Sequence, residues 1–144
     1  MEYKKIDSGA VLLRLDSGEE IVSSLVTTCK KNKIQCALVS GLGACRKAEI
    51  AHYDPGAKKY HNKKFEGKME IVSLLGNITM SEGGKEPIAH LHIALGLEDF
   101  SVVGGHLVSA EINPTCEITI TPLNAKIERK FDERSGLKLQ RFLQ

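Results

Sequence analysis

The chain has 144 residues, of which 42% are hydrophobic and 26% are charged, and these values are ordinary for one globular domain. It contains no tryptophan and only 5% aromatic residues, which argues against a stacking surface for single-stranded nucleic acid. The formal net charge of +2 is too small to indicate nucleic-acid binding by itself. We therefore expect a single domain that spans residues 1–144.

The cellular compartment is predicted from the N-terminus and from cysteine usage. The N-terminal segment lacks the apolar stretch of a secretory signal peptide, and no run approaches the roughly 20 apolar residues of a transmembrane helix. Cys29, Cys36, Cys45 and Cys116 form no Cys-x-x-Cys pair. We expect a cytoplasmic protein with reduced, buried thiols, and Cys116 is the best candidate for a cysteine ligand or nucleophile.

The first third of the chain predicts a strand, a helix and a second strand. Residues 9–16 read as a strand, and the sequence Ser17-Gly-Glu-Glu20 predicts a capping box that starts a helix. Residues 34–40 form a short apolar strand, and Gly41-Leu-Gly43 predicts a turn. The helix is supported by one apolar stripe, which comprises Ile21, Val22, Leu25, Val26 and Cys29.

From Ala44 onward the pattern is almost entirely that of β-strands. The turn sequence Asp54-Pro-Gly56 separates the first two of them, and Gly76-Asn77 predicts a bulge. Residues 136–142 are compatible with a short helix or an extended segment. We expect an α+β domain with one or two helices and a mainly antiparallel sheet. The predicted strands are residues 48–53, 59–66, 69–80, 88–95, 102–111, 116–122 and 125–131.

Three histidines within seventeen residues are the strongest functional signal. His90 and His92 are two residues apart, so on a strand both imidazoles point to the same face. His106 follows Gly104-Gly105 at the start of another apolar run. If the two runs pair as neighbouring strands, the three imidazoles converge, which is the usual protein part of a zinc site with an open fourth position. The simpler interpretation is a set of hydrogen-bonded or solvent-facing histidines.

Gly104 and Gly105 predict a close approach of backbones that seats His106, although a plain β-bulge would need the same residues. Glu70 and Glu117 each open an apolar strand. Either could orient a ligand histidine or act as an acid–base catalyst, and ordinary sheet-edge carboxylates are the alternative. Arg46 could hold a substrate carboxylate with its bidentate guanidinium, or it could be a solvated surface residue.

Two basic clusters could attract a phosphate backbone, especially if an oligomer displayed them several times. Solvated strand edges, where lysine discourages edge-to-edge pairing, are the simpler interpretation. The clusters comprise Lys58, Lys59, Lys63, Lys64 and Lys68, and then Lys126, Arg129, Lys130, Arg134, Lys138 and Arg141.

The order of these motifs resembles the Plants and Prokaryotes Conserved (PPC) domain over nearly the whole chain. The motifs are Gly41-Leu-Gly-Ala44, Glu70-Ile-Val-Ser-Leu-Leu-Gly-Asn-Ile78, His90-Leu-His92, Gly104-Gly-His-Leu107, Thr115-Cys-Glu-Ile118 and Ser135-Gly-Leu-Lys138.

The resemblance implies an α+β fold with a strongly bent, mainly antiparallel sheet, assembled as a homotrimer, and the fold also looks similar to acetolactate decarboxylase. Some prokaryotic members bind a metal through three histidines that match His90, His92 and His106. Plant members carry an Arg-Gly-Arg-Pro AT-hook ahead of the domain, and this chain has no such sequence.

The sequence therefore predicts a cytoplasmic, homotrimeric protein of the prokaryotic type, with a divalent metal, zinc first, at the three histidines. The open metal position would bind a small molecule or act on it, and the residues do not decide whether the protein is an enzyme. Two alternatives stay open: a DNA-associated or regulatory interaction module without catalysis, and a purely structural metal that holds the trimer together.

Overall fold

The computed structural model describes residues 1–144 and contains one helix and eight strands. In chain order they are β1 (Glu2–Lys5), β2 (Val11–Asp16), α1 (Ile21–Asn32), β3 (Ala37–Asp54), β4 (Lys59–Ser81), β5 (Pro87–Gly96), β6 (Val102–Pro122), β7 (Ile127–Asp132) and β8 (Leu137–Phe142).

One sheet contains all eight strands, in the order β1-β2-β6-β3-β4-β7-β8, and β5 pairs with both β4 and β6. The double pairing of β5 closes β3, β4, β5 and β6 into a ring. Every pairing is antiparallel except the short contact of β4 with β7. The expected α+β class with a mainly antiparallel sheet is therefore confirmed.

The hydrophobic core lies inside the ring, where alternate residues of the long strands point inward. The helix α1 packs against β5 and β6 and contributes Ile21, Leu25 and Cys29 to this core. The helix has 12 residues, and it is not long and apolar enough to cross a membrane. Among the fully buried side chains from the ring are Ile71, Leu74, Leu91, Leu95, Ile112 and Ile118.

The predicted turn at Gly41–Gly43 was wrong, because these residues continue β3 through a bulge. A Cβ atom on Gly43 would lie 2.5 Å from the carbonyl oxygen of Thr115 on β6. Gly43 therefore permits close contact between β3 and β6. In a sequence, a glycine with this role cannot be distinguished from a glycine in a turn. The bulge predicted at Gly76-Asn77 is absent, and β4 is irregular between Ile71 and Ser73 and between Glu66 and Met69 instead.

The helix start also differs from the capping box. Glu20, not Ser17, is the N-cap residue, and its carboxylate accepts hydrogen bonds from the amides of Val22 at 2.9 Å and Ser23 at 2.7 Å. The Ser17 hydroxyl contacts Asn113 instead. The Glu20 carboxylate thus satisfies two of the free amides at the start of the helix, which is the role that the capping box gave to Ser17.

The two chain ends add strands that the pattern did not resolve. Residues Leu137–Phe142 form β8, so the extended alternative for this segment is correct and the helical one is wrong. The strand β1 was missed because all four of its residues are exposed and show no alternation. It pairs only with β2, at the edge of the sheet.

Gly76→Ala tests the closeness of β4 and β5. A Cβ atom at Gly76 would lie 2.1 Å from the carbonyl oxygen of His90 and 2.8 Å from the Cα atom of Leu91. We expect the substitution to lower the free energy of unfolding by about 3 kcal/mol, because overpacking forces the two backbones apart. Urea denaturation followed by circular dichroism measures this change.

Gly56→Ala is the matched control, since a Cβ atom there meets only a carboxylate oxygen of Asp54 at 3.3 Å. Gly56 is exposed, and we expect a change of about 0.5 kcal/mol or less. Equal unfolding midpoints for the two variants would contradict the close approach at Gly76.

Candidate metal centre

Strand register brings the three histidines to one face of the sheet. His92 of β5 pairs with His106 of β6 on one side and with Leu75 of β4 on the other. His90, two residues before His92, pairs with Asn77 of β4. Directly paired residues of antiparallel strands point to the same face, so all three imidazoles lie on the outside of the ring. The convergence that the sequence predicted is present.

The three rings form a compact triangle. Ring centroids are 5.5 Å apart for His90 and His92, 5.1 Å for His90 and His106, and 5.7 Å for His92 and His106. One ring nitrogen from each residue lies within 4.8 Å of the other two. His92 is exposed, and His90 and His106 are half-buried. The cluster is therefore open to solvent on the side of His92.

Gly104 and Gly105 seat the strand that carries His106. A Cβ atom on Gly104 would lie 2.7 Å from the carbonyl oxygen of Ile93 in β5, and one on Gly105 would lie 2.8 Å from that of Ala51 in β3. Any larger residue would push β6 away from one of these two neighbours. The predicted role of the glycine pair, which is to place His106, requires this close contact.

The electrostatics of the site favour neutral imidazoles. Burial lowers the pKa of His90 to about 4, and the charge of Arg129 and the neighbouring histidines add to this effect. Burial, followed by His92 and Arg129, also lowers the pKa of His106. Both rings are neutral at neutral pH, which is the state in which imidazole binds a metal.

The donor set fits a divalent ion. The Nδ1 atom of His106 is buried and has no hydrogen-bond partner, and leaving such an atom unpaired costs about 1–3 kcal/mol. A tetrahedral ion bound at about 2.1 Å by each nitrogen needs nitrogens about 3.4 Å apart. The ring nitrogens lie within 4.8 Å of one another, so binding an ion with this geometry would bring them closer by up to about 1.4 Å.

The sequence did not assign three neighbouring residues to the cluster: Tyr60, Asn77 and Arg129. The Tyr60 ring lies 5.1 Å from that of His106. Arg129 was grouped with solvated basic residues, which was wrong, because only 9% of it is exposed. It donates hydrogen bonds to Asn77 Oδ1 at 2.8 Å, Thr79 Oγ1 at 3.0 Å and the carbonyl of Lys138 at 3.2 Å. The sequence did contain a signal for this burial: Arg129 is two residues from both Ile127 and Phe131, so on a strand it shares a face with these apolar residues.

The two acids proposed as catalytic groups lie elsewhere in the protomer. Glu70 pairs with Ala44 and Gly96, five residues along β4 from Leu75, and thus about 16 Å from the level of His92. Glu117 of β6 pairs with Arg14 and Leu42. Neither carboxylate joins the histidine cluster within one chain.

Arg46 and Cys116 are also remote from the histidines. The guanidinium of Arg46 pairs with Glu111, with Nε 2.8 Å from Oε1, so a carboxylate of the chain already engages it. Cys116 is fully buried, and burial raises the pKa of its thiol to about 12. A thiol with this pKa is protonated at neutral pH and is a poor nucleophile.

Comparison with protein families gives one assignment. The model of the Plants and Prokaryotes Conserved domain, abbreviated PCC or PPC, matches residues 5–124. A comparison with curated proteins finds no match.

Solved structures share the whole fold with this chain. A candidate DNA-binding protein from Bacteroides thetaiotaomicron is 33% identical, has a TM-score of 0.91, and aligns over 98% of this chain and 96% of that one. A metal-containing protein from Archaeoglobus fulgidus is 38% identical, with a TM-score of 0.85 and coverage of 99% and 97%. A plant- and prokaryote-conserved protein from Pyrococcus horikoshii is 33% identical, with a TM-score of 0.85 and coverage of 99% and 96%.

The lowered pKa of His90 predicts a pH-dependent stability for the metal-free protein. Folded His90 binds a proton only near pH 4, whereas an unfolded histidine does so near pH 6.5. Between these values the unfolded chain holds more protons, so the free energy of unfolding falls as the pH falls. We expect His90→Asn to lose less stability than the wild type between about pH 7 and about pH 5, measured by urea denaturation.

His52→Asn controls for the loss of one imidazole, since His52 is exposed on β3 and lies outside the cluster. It should follow the wild-type curve over the same range. If His90→Asn also follows that curve, the burial of His90 does not contribute to the loss of stability at low pH.

Proposed function

Because the chain belongs to the Plants and Prokaryotes Conserved domain family, we propose that it binds one divalent metal ion through His90, His92 and His106. The observation that carries the proposal is that His106 has a buried Nδ1 atom without a partner in the chain and forms a triangle with two other imidazoles. The metal-containing protein from Archaeoglobus fulgidus, which shares the fold, supports it.

Zinc is the first choice for the ion, because imidazole suits it and three protein ligands leave a fourth position open. We propose that this position binds a small molecule or acts on it. A bound ion would polarise a carbonyl group or acidify a water molecule there. The chain supplies neutral ring nitrogens at His90 and His106, and the Tyr60 ring packs beside His106.

The assembly proposed for the protein is a homotrimer. An apolar face supports self-association: Leu12, Thr119, Ser40 and Leu75 form one row across β2, β6, β3 and β4. Monomeric proteins rarely expose large contiguous apolar patches, so this face calls for a partner surface. The exposed leucines of this apolar face are Leu12, Leu38, Leu42 and Leu75, which are between 46% and 59% exposed.

Glu70 and Glu117 stay candidate acid–base residues only across a subunit boundary, since neither joins the cluster within one chain. Glu117 lies beside Leu42, at the border of the apolar face. A neighbouring protomer that covers this face would bring its own side chains to that border.

A DNA-associated module is the second candidate, favoured by the similar structure of a candidate DNA-binding protein. The surface gives it little support, because lysines of the β3–β4 hairpin face acids across the strands. Lys64 pairs with Glu49, and Lys47 pairs with Glu66. Adjacent opposite charges reduce the local potential that would attract phosphates.

Native mass spectrometry of protein purified without a metal-affinity tag tests the metal and the assembly together. We expect three chains with one divalent ion per chain. His92→Ala should reduce the metal content at least about tenfold, because two imidazoles bind zinc far more weakly than three. It should leave the trimer mass unchanged, because the apolar face and not the ion would hold the chains together.

The control is His52→Ala, which removes an exposed histidine outside the cluster and should keep full metal content. Wild-type protein without bound metal, even after incubation with zinc, would refute the metal proposal. Dissociation of His92→Ala into monomers would instead identify the ion as a structural link between chains.

An electrophoretic shift assay at physiological salt tests the second candidate function, the DNA-associated module. We expect no shift of duplex DNA, because Lys64 and Lys47 of the hairpin lie opposite Glu49 and Glu66. A salt-sensitive shift that Lys63→Gln with Lys64→Gln weakens, and that His92→Ala does not, would favour the DNA-associated function. Lys30→Gln is the matched control, since Lys30 lies on α1 and pairs with Glu86.

A further inference from the structure

Arg129 is a buried cation that has no carboxylate partner. Only 9% of the residue is exposed, and its three hydrogen-bond acceptors are an amide oxygen, a hydroxyl oxygen and a backbone carbonyl oxygen. All three acceptors are neutral. Arginines that are this deeply buried are usually paired with an acid, because an uncompensated buried charge is destabilising.

The guanidinium also keeps hydrogen-bonding capacity in reserve. It carries five N–H groups, and its contacts with Thr79, Asn77 and Lys138 use one on each nitrogen. Two N–H groups are therefore uncommitted, one on Nη1 and one on Nη2. Terminal N–H groups on both η nitrogens are the donors with which arginine grips a carboxylate.

The position of Arg129 connects it to the histidine cluster. Its partner Asn77 is the residue of β4 that pairs directly with His90, and both point to the outer face. Arg129 is therefore connected to the histidine cluster through one pair of neighbouring residues, Asn77 and His90.

The charges at this site do not balance. Three neutral imidazoles leave the charge of a bound divalent ion intact, and Arg129 adds one more positive charge without any carboxylate in either set of contacts. A purely structural role, in which Arg129 fastens the β7–β8 hairpin to β4, explains the three hydrogen bonds but needs neither a charge nor two spare donors.

We propose that Arg129 binds the carboxylate of a small molecule, and that a second oxygen group of the same molecule takes the open position of the metal. The inference rests on the proposed metal site and names the class of its ligand. Asn77, which Arg129 contacts, and the proposed ligand His90 are directly paired and so about 5 Å apart, which suits a small molecule with two oxygen groups separated by a few bonds. Short dicarboxylates and 2-hydroxy acids have this form, and malonate is a suitable probe.

Isothermal titration of malonate into the zinc-loaded full-length protein tests the proposal, with metal content and melting temperature recorded for every sample. We expect Arg129→Gln to weaken malonate binding at least about tenfold while zinc content stays at one per chain, since a charged hydrogen bond is lost. Arg129→Lys keeps the charge and loses the fork, and it should bind with intermediate affinity. Arg141→Gln, an exposed arginine of the same hairpin, should bind like the wild type.

Metal-free wild-type protein should also bind malonate at least about tenfold more weakly, because one of the two anchoring contacts is missing. If the zinc-loaded Arg129→Gln and Arg129→Lys variants bind malonate as well as the wild type, the inference is overturned while the metal site stands. If the wild type takes up no zinc, it is the proposed function that fails. Binding of inorganic phosphate but not malonate, with the same dependence on Arg129, would overturn the assignment to carboxylates.

Discussion

The double pairing of β5 is the constraint on which the site depends. Its hydrogen bonds to β4 on one edge and to β6 on the other close the ring around the core. His92 is the first of five β5 residues that pair on both sides, and it lies opposite Leu75 and His106. A shift of β5 by one residue would turn its histidines inward and its buried leucines outward, so the burial of Leu91 and Leu95 also fixes the direction of the imidazoles.

This closure is possible only because the strands approach closely at glycines. Gly76 faces the backbone of β5 and Gly104 faces it from β6, so β5 is held between two residues without side chains. The same approach sets the spacing of the rings. Any change that moves β5 for packing reasons therefore also moves two of the three histidines.

Burial and the positive charge of Arg129 both lower the pKa of His90 and His106. Partial burial keeps His90 and His106 from taking up a proton, and the cation at Arg129 adds to this effect. Neutral rings are good metal ligands, but a neutral donor set cannot compensate a divalent ion. The chain thus combines three uncharged ligands with an uncompensated arginine, and an anionic ligand is the species that satisfies both.

Local patterns were sufficient for the histidines and insufficient for their surroundings. The period of two residues at His90 and His92, with the glycines before His106, predicted a convergence that the register now explains. Arg129 was not placed, because its contacts with Thr79 and Asn77 of β4 join residues that are 50 and 52 positions apart in the sequence. The turn predicted at Gly41–Gly43 failed for a related reason: a glycine needed for strand contact looks the same in a sequence as one needed for a turn.

The histidine cluster and the apolar face are parts of a single row of the sheet. Thr119, Ser40 and Leu75 lead from Leu12 directly to His92, one strand after another. In the proposed trimer, a protomer that covers Leu75 therefore borders His92, the exposed member of the cluster. Assembly would then reduce solvent access at the open metal position and strengthen the attraction between Arg129 and an anion, because electrostatic interactions grow as water is excluded. The metal proposal and the trimer proposal are thus linked by the pair Leu75 and His92. This pairing places the metal ligands at the border of the surface that a partner would cover.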